Sequence, residues 1–275
     1  MNKITDTGYQ LPVAEALRTF DLFTTGTTLP LAVWAVETST AQRGQYVVKM
    51  KRSDRMTTTS SAFELIAGWM AMELELPAAV PALVNLSTDF VETAMKGRDG
   101  YRTARQSLGI NFATIYQPGF DKIPAVAFSL PDGFIEIAQL IYVFDLFIAN
   151  TDRGHQKDNI ASNGSKLLIY DHELAFSFVR VLPFLRNQTP WILNDADQDL
   201  YKMHFFYKMF RELKPDFAKQ VAMLQRFDTK FWSKVHNLLP GEWIDEQVMA
   251  IAPYLTSIVE NHADFTQSLN KTVAL

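Results

Sequence analysis

The sequence has no cysteine, which excludes disulfides, thiol nucleophiles and cysteine-bound zinc and fits a reducing cytoplasm. It also lacks any block of like charge. Its 26 Lys and Arg stand against 30 Asp and Glu, for a net charge of −4, so direct nucleic-acid binding through a basic stripe is not expected. The longest apolar run, about Ile137 to Ala149, is interrupted by Gln139 and Asp145 and is too short to cross a bilayer. The first residues carry Asp6 and Glu15 and lack the apolar core of a secretory leader. The expectation is a cytoplasmic protein without a membrane partner. Internal repeats and low-complexity tracts are missing too. His204, His236 and His262 lack metal-like spacing and read as structural or surface residues. What is present is apolar material: 48% of 275 residues, enough to fill one large domain or two lobes.

The first part of the chain reads as strands. Leu17 to Phe23 suits a strand, although Ala14 to Leu17 also suits a helix; Leu31 to Thr38 and Tyr46 to Met50 suit two more. The turn between the first two is Thr24-Thr25-Gly26-Thr27-Thr28. Ser60 or Ser61 can cap a helix from Ala62 to about Glu75, ended by Pro77 and Pro81. Val80 to Leu86 and Phe90 to Met95 read as strands, Arg98 to Gln106 as a loop, and Pro118-Gly119 as a hinge. Beyond Phe134 the pattern is helical. Phe134 to Ala149, apolar on nearly all sides, predicts a central buried helix. Further helices are expected over Asp197 to Leu213, Asp216 to Arg226, Thr229 to Leu238 and Ile244 to Leu269, with Trp191, Trp232 and Trp243 in the core. The fold class is α+β, with a β-rich N-lobe over about 1–117 and an α-helical C-lobe over about 118–275.

The strongest local signal is Asn150-Thr151-Asp152-Arg153-Gly154-His155-Gln156-Lys157-Asp158-Asn159-Ile160, followed by Leu168-Ile169-Tyr170-Asp171-His172. An Asp stands just past a long apolar run, an Asn follows in a polar loop, and a second Asp closes a short apolar strand. Phosphoryl transfer needs that order: one carboxylate to orient the attacking hydroxyl, then an amide and a carboxylate to hold Mg2+ against ATP. Mg2+ takes one or two carboxylates plus phosphate oxygens, so Asn159 and Asp171 suffice as protein ligands. Plainer roles exist for each residue. Asp152 and Arg153 can cap a helix end and pair, Asn159 can serve a turn, and Asp171 can start one.

These residues resemble the HipA-family kinases, of the compact type without a separate N-terminal subdomain, and more distantly phosphoinositide kinases and eukaryotic protein kinases. The resemblance is carried by Asn150-Thr151-Asp152-Arg153, Asn159-Ile160, Ile169-Tyr170-Asp171-His172 with Phe176, Tyr46-Val47-Val48-Lys49, Glu64 in a helix ending Glu75-Leu76-Pro77, and Leu239-Pro240 through Trp243. It implies a single bilobal, protein-kinase-like domain that uses ATP and Mg2+. It implies Asp152 as catalytic base, Asn159 and Asp171 on the metal, Lys49 against the phosphates and Glu64 paired with that lysine. Thr25, Gly26 and Thr27 would cover the phosphates with backbone N–H groups; an ordinary hairpin turn is the competing reading. Self-phosphorylation on one of the four threonines of that turn would push the loop off ATP.

Three points stay open in the sequence. Lys51 shares a strand face with Lys49 and competes with it, while Glu73 and Glu75, near the helix end, read as solvated. Asp152 and Asn159 are seven positions apart, longer than the protein-kinase pattern, with Lys157 where an earlier Asn would stand and Asp158 as a substitute ligand. His155 reads as a solvated loop residue or a phosphate contact, and His172 as a core residue. The implied substrate is a Ser or Thr hydroxyl of a protein, with a cognate antitoxin or other regulator as partner. The rival readings are a lipid or small-molecule kinase, an AMP transferase and a nucleotide-binding pseudokinase.

Overall fold

The computed structural model describes residues 3–23, 29–123, 130, 132–154 and 159–274. The turn holding Thr25, Gly26 and Thr27, and the loop residues His155 to Asp158, lie outside the described residues.

Five strands close a barrel: β1 (Val13–Leu22), β2 (Leu31–Glu37), β3 (Arg43–Lys49), β4 (Pro81–Leu86) and β5 (Gly109–Ile115), in the order β1-β2-β3-β5-β4. β1 closes it by pairing parallel to β4, with Val13 opposite Leu83, while the other neighbours run antiparallel. Alternation sends Ala14, Ala16, Val33, Ala35, Val48, Ala82 and Val84 inward. Alanines recur because so few strands leave a narrow interior. The helical alternative for Ala14 to Leu17 gives way to β1, whose residues pair with β2 and β4.

Two sequence expectations are corrected here. Phe90 to Met95 is not a strand: Ser87 caps a short helix by accepting from Phe90 N at 3.1 Å, and a π-helical turn continues over Val91–Met95. Phe90, Val91 and Met95 pack into the barrel core, so their apolar pattern fills the barrel rather than extending its sheet. The stretch read as a loop contains the helix Tyr101–Gln106, whose Ala104 joins the same core.

α1 (Thr58–Glu73) begins one turn earlier than expected, because Thr57 rather than Ser60 or Ser61 is the cap, accepting from Ser60 N at 3.0 Å. The helix has stopped by Leu74, and Glu75 turns into the left-handed region (φ +60°) ahead of Pro77. Every residue from Ser60 to Glu73 is buried. α1 touches β4 and β5 on one side and the Gly241–Trp243 turn on the other, which is why it shows no polar face.

α2 (Ile135–Phe147) is buried from Leu140 to Phe147. A small antiparallel sheet takes β6 (Asp121–Lys122) from before α2 and β7 (Ile160–Ser162) and β8 (Leu167–Ile169) from after it, in that order. α3 (Thr229–Leu238), α4 (Ile251–Glu260) and α5 (His262–Ala274) complete the core. The helix expected over Asp197 to Leu213 is broken between Gln198–Lys202 and Tyr207–Leu213, where Gly154 and His204 form a β-bridge. The helix expected over Ile244 to Leu269 is divided as well. Asp245 caps a short first piece by accepting from Val248 N at 2.9 Å, and Pro253 has no N–H to carry that piece into α4. Trp243 is fully buried, while Trp191 and Trp232 are only partly buried.

Candidate functional site

Lys49 is the last residue of β3 and is buried. Its ammonium pairs with Glu64 in α1, and Asp171 Oδ1 lies 2.7 Å away. The other Glu64 oxygen accepts from His172 N at 3.0 Å. One lysine therefore holds the barrel, α1 and the end of β8 together. Lys51 parts from it: β3 has ended, and the Lys51 backbone donates to Asn111 Oδ1 at 3.0 Å. Glu73 is buried against Thr5 rather than solvated, accepting from its hydroxyl at 2.7 Å, whereas Glu75 is exposed and pairs with Arg226 at 3.0 Å.

The charges in this cluster pull on one another. Burial opposes the charged form of Lys49, yet the Asp171 and Glu64 carboxylates more than offset it and raise its pKa. Burial pushes Glu64 up to about 7 despite the pull of Lys49. For Asp171 burial is outweighed by the Lys49 charge, which lowers its pKa. Carboxylate oxygens of Glu64, Asp171 and Glu173 lie within 4.8 Å of one another. Hard oxygen donors of this kind suit Mg2+.

Asp152 and Asn159 meet a short way along the chain. Asn159 Nδ2 donates to the Asp152 carbonyl at 3.0 Å and to its Oδ2 at 3.1 Å. That commits the nitrogen end of the amide and leaves Oδ1 as its acceptor. β7 and β8 pair with Ile160 opposite Ile169, and Tyr170 N donates to Asn159 O at 3.4 Å. Asn159 and Asp171 therefore leave the hairpin at the same end. Three residues other than glycine around this point take positive φ: Ala149 (+48°), Asp171 (+63°) and Phe176 (+57°). Such strain persists only where surrounding contacts over-determine the backbone. Here Phe176 N donates to Ile148 O at 2.6 Å and the Ser177 hydroxyl to Ala149 O at 3.1 Å.

Sequence reasoning missed the buried layer behind these residues. Asp145, in α2, accepts from Arg153 Nε at 2.6 Å, Asn150 Nδ2 at 2.8 Å and His204 Nε2 at 3.0 Å. Asn150 Oδ1 in turn accepts from Asp152 N at 3.1 Å. His204 is buried, and its Nδ1 accepts from Phe206 N at 3.2 Å, so the proton sits on Nε2 and points to Asp145. His172 is in the core as expected, and burial with the neighbouring Arg153 charge lowers it to about 3. The signal for this layer was available. Asp145 is the only charge in an apolar run from Ile137 to Ala149, and a lone carboxylate in a buried helix needs partners.

Gly154 has a steric reason to be glycine. A Cβ there would stand 2.9 Å from Met203 O, and the backbone is pinned by the bridge to His204 and by Phe205 N donating to Arg153 O at 2.9 Å. Gly154→Ala is expected to cost about 1–3 kcal/mol, read as a fall in thermal midpoint; an unchanged midpoint would show that the two segments separate freely.

Comparison with curated proteins finds no match. Among solved structures the chain is similar to the Helicobacter pylori proinflammatory kinase CtkA, at 11% identity and a TM-score of 0.45, over 88% of this chain and 94% of that one. A family model described as HipA-like kinase matches residues 38–270, a span that contains Lys49, Glu64, Asp152, Asn159 and Asp171 and begins after the threonine turn. With most of its length matched, the chain belongs to the HipA-like kinase family.

Proposed function

We propose that this kinase transfers the γ-phosphoryl group of ATP to a serine or threonine hydroxyl of a protein, in a bilobal domain whose barrel and helical parts are the two lobes. The observation that carries the reading is Lys49 held between Glu64 and Asp171, with Asp171 leaving the same hairpin end as Asn159, which bonds Asp152. Lys49 neutralises phosphate charge. Asp171 and Asn159 offer a carboxylate and an amide oxygen to the metal. Asp152 accepts the proton of the attacking hydroxyl on its carboxylate. Mg2+, when bound, draws charge off the transferring group. The protein's part is positioning and charge neutralisation rather than covalent chemistry.

A second reading has one observation in its favour. Beyond Asp171, Leu182, Phe184 and Leu185 are 57%, 76% and 65% exposed, between Arg180 and Arg186. An apolar tip flanked by cations suits an anionic lipid surface, and the hydroxyl acceptor would then be a lipid headgroup. Incubation with Mg2+ and γ-labelled ATP, in the presence of either a cell lysate or phosphoinositide vesicles, separates the readings. Phosphoserine or phosphothreonine supports the first and labelled lipid the second. No labelled product would overturn both, and mass spectrometry of the same samples would then show whether AMP, which carries no γ-label, has been transferred instead.

Nucleotide binding is expected to respond to the lysines unequally. ATP with Mg2+ should raise the thermal midpoint, since a ligand of the folded state stabilises it by mass action. Lys49→Ala should remove most of that shift and Lys51→Ala little of it. Equal losses in differential scanning fluorimetry would move the phosphate contact away from Lys49.

A further inference from the structure

The five N–H groups of Arg153 are all engaged, and not with anything that reacts. Nε donates to Asp145 Oδ2 at 2.6 Å. Nη2 faces Asp145 Oδ1 at 3.4 Å and His172 Nε2 at 3.0 Å. Nη1 donates to the Asn159 carbonyl and to the Tyr170 carbonyl at 3.3 Å. The side chain is 0% exposed. No donor is left for a phosphate, so Arg153 is not a substrate ligand, although it follows Asp152 directly in the chain.

Its acceptors are informative. They are the backbone of Asn159, the two residues that flank Asp171, and Asp145 of the buried helix α2. We infer that Arg153 is the positioning residue of the site: one buried guanidinium fixes the segment carrying Asp152 and Asn159 against the segment carrying Asp171. The inference rests on the functional reading above and deepens it by naming what sets the distance between base and metal ligands.

Only a planar fork can do this. Three nitrogens reach acceptors on four residues, Asp145, His172, Asn159 and Tyr170, whereas a lysine ammonium has three donors on a single nitrogen. His172 takes part as an acceptor. Because the guanidinium can only donate, His172 Nε2 must carry no proton, which leaves the imidazole neutral with its proton on Nδ1. Behind Arg153, Asp145 is held in turn by Asn150 and His204, so the guanidinium is braced from α2 and cannot shift with the loop. Groups of this kind act through the ligands they orient, and their loss typically costs 10–100-fold in metal affinity or activity.

The test uses full-length protein with Mn2+ as the metal probe in the presence of ATP, followed by electron paramagnetic resonance, beside steady-state phosphoryl transfer. Arg153→Lys should weaken Mn2+ binding and lower kcat by roughly 10–100-fold, with the affinity for metal-free ATP changed by less than about threefold, because Lys49 and Glu64 are untouched. Since a lysine there can destabilise the core, His172 supplies the second pair of variants. His172→Gln keeps a side-chain oxygen for Arg153 and should retain wild-type Mn2+ affinity and kcat. His172→Leu removes the acceptor and should lose about tenfold in both. A merely structural role would lower apparent kcat in step with the folded fraction and leave the Mn2+ affinity of the folded enzyme unchanged. The inference is overturned if Arg153→Lys keeps wild-type Mn2+ affinity, if its kcat loss follows only the unfolded fraction, or if the two His172 variants behave alike. A wild type that binds Mn2+ and ATP but transfers nothing would sink the functional reading, while the Mn2+ affinities would still decide the positioning role. A wild type that binds no Mn2+ with ATP would overturn both.

Discussion

Asp152→Asn and Asp171→Asn are each expected to lower phosphoryl transfer by roughly a thousandfold or more and to leave the fold intact. The expected loss is large because, in the proposed reaction, both groups act where charge and proton move in the transition state. Asparagine is the informative replacement at both positions. At 152 it preserves the side-chain oxygen that Asn159 Nδ2 reaches at 3.1 Å, so the segment keeps its shape while the proton acceptor is gone. At 171 the backbone sits at φ +63°, where alanine would add strain and asparagine adds little. Lys49 keeps its pairing with Glu64 in that variant, so ATP should still bind through the lysine. Single-turnover transfer from γ-labelled ATP, with thermal midpoints measured alongside, checks both residues. Transfer within tenfold of wild type in either variant removes that residue from its assigned role.

The parts of the fold that were legible in the sequence are those whose pattern is local. β2, β3, α2 and α3 declare themselves by apolar alternation, by a long apolar run or by capping residues. The order Asp152, Asn159, Asp171 could be read from residue type, whereas Lys49 and Glu64 were implied by the family resemblance; the structure brings Lys49, Glu64 and Asp171 together. The sequence failed where a tertiary partner decided the outcome. Phe90 to Met95 has strand-like residues, but the five-stranded barrel needed an apolar plug. Ser60 and Ser61 look like caps, but Thr57 has the extended backbone that a cap requires. Lys49 and Lys51 share a period and could not be separated until β3 was seen to end between them.

The layer behind the site was hidden for a different reason. His204 lies 59 residues from Asp145, and no spacing rule links them. Arg153 reads in sequence as a residue that pairs with Asp152 at a helix end, but it is buried and pairs with Asp145 instead, against the usual exposure of arginine. Only the chain path, which brings the residue 204 segment against Gly154 and the β7–β8 end against Asn159, turns these residues into one network.

That network should also carry more stability than any ion pair at the surface. Asp145 and Arg153 are both 0% exposed in their side chains, and removing one partner leaves the other as a buried charge. Asp145→Ala is expected to cost about 3–5 kcal/mol, a fall in thermal midpoint of roughly 10 °C for a chain of this size. The exposed pair Lys219 and Glu136, 73% and 67% exposed, is the contrast: Glu136→Ala should change stability by less than about 1 kcal/mol. Acid gives a second axis. Burial alone would raise the Asp145 carboxyl, but the Arg153 charge and the His204 hydrogen bond outweigh it and hold the group well below the ordinary carboxylate range. Its stabilising effect is therefore fully present above about pH 4, where the unfolded carboxyl is also ionised, and is lost only as pH falls further. Urea unfolding at pH 7, 5 and 3 should show the gap between wild type and Asp145→Asn unchanged over the first step and narrower at the last. A gap that is already closed at pH 5, or an Asp145→Ala variant as stable as wild type, would mean that Arg153 finds its compensation elsewhere and that α2 does not brace the site.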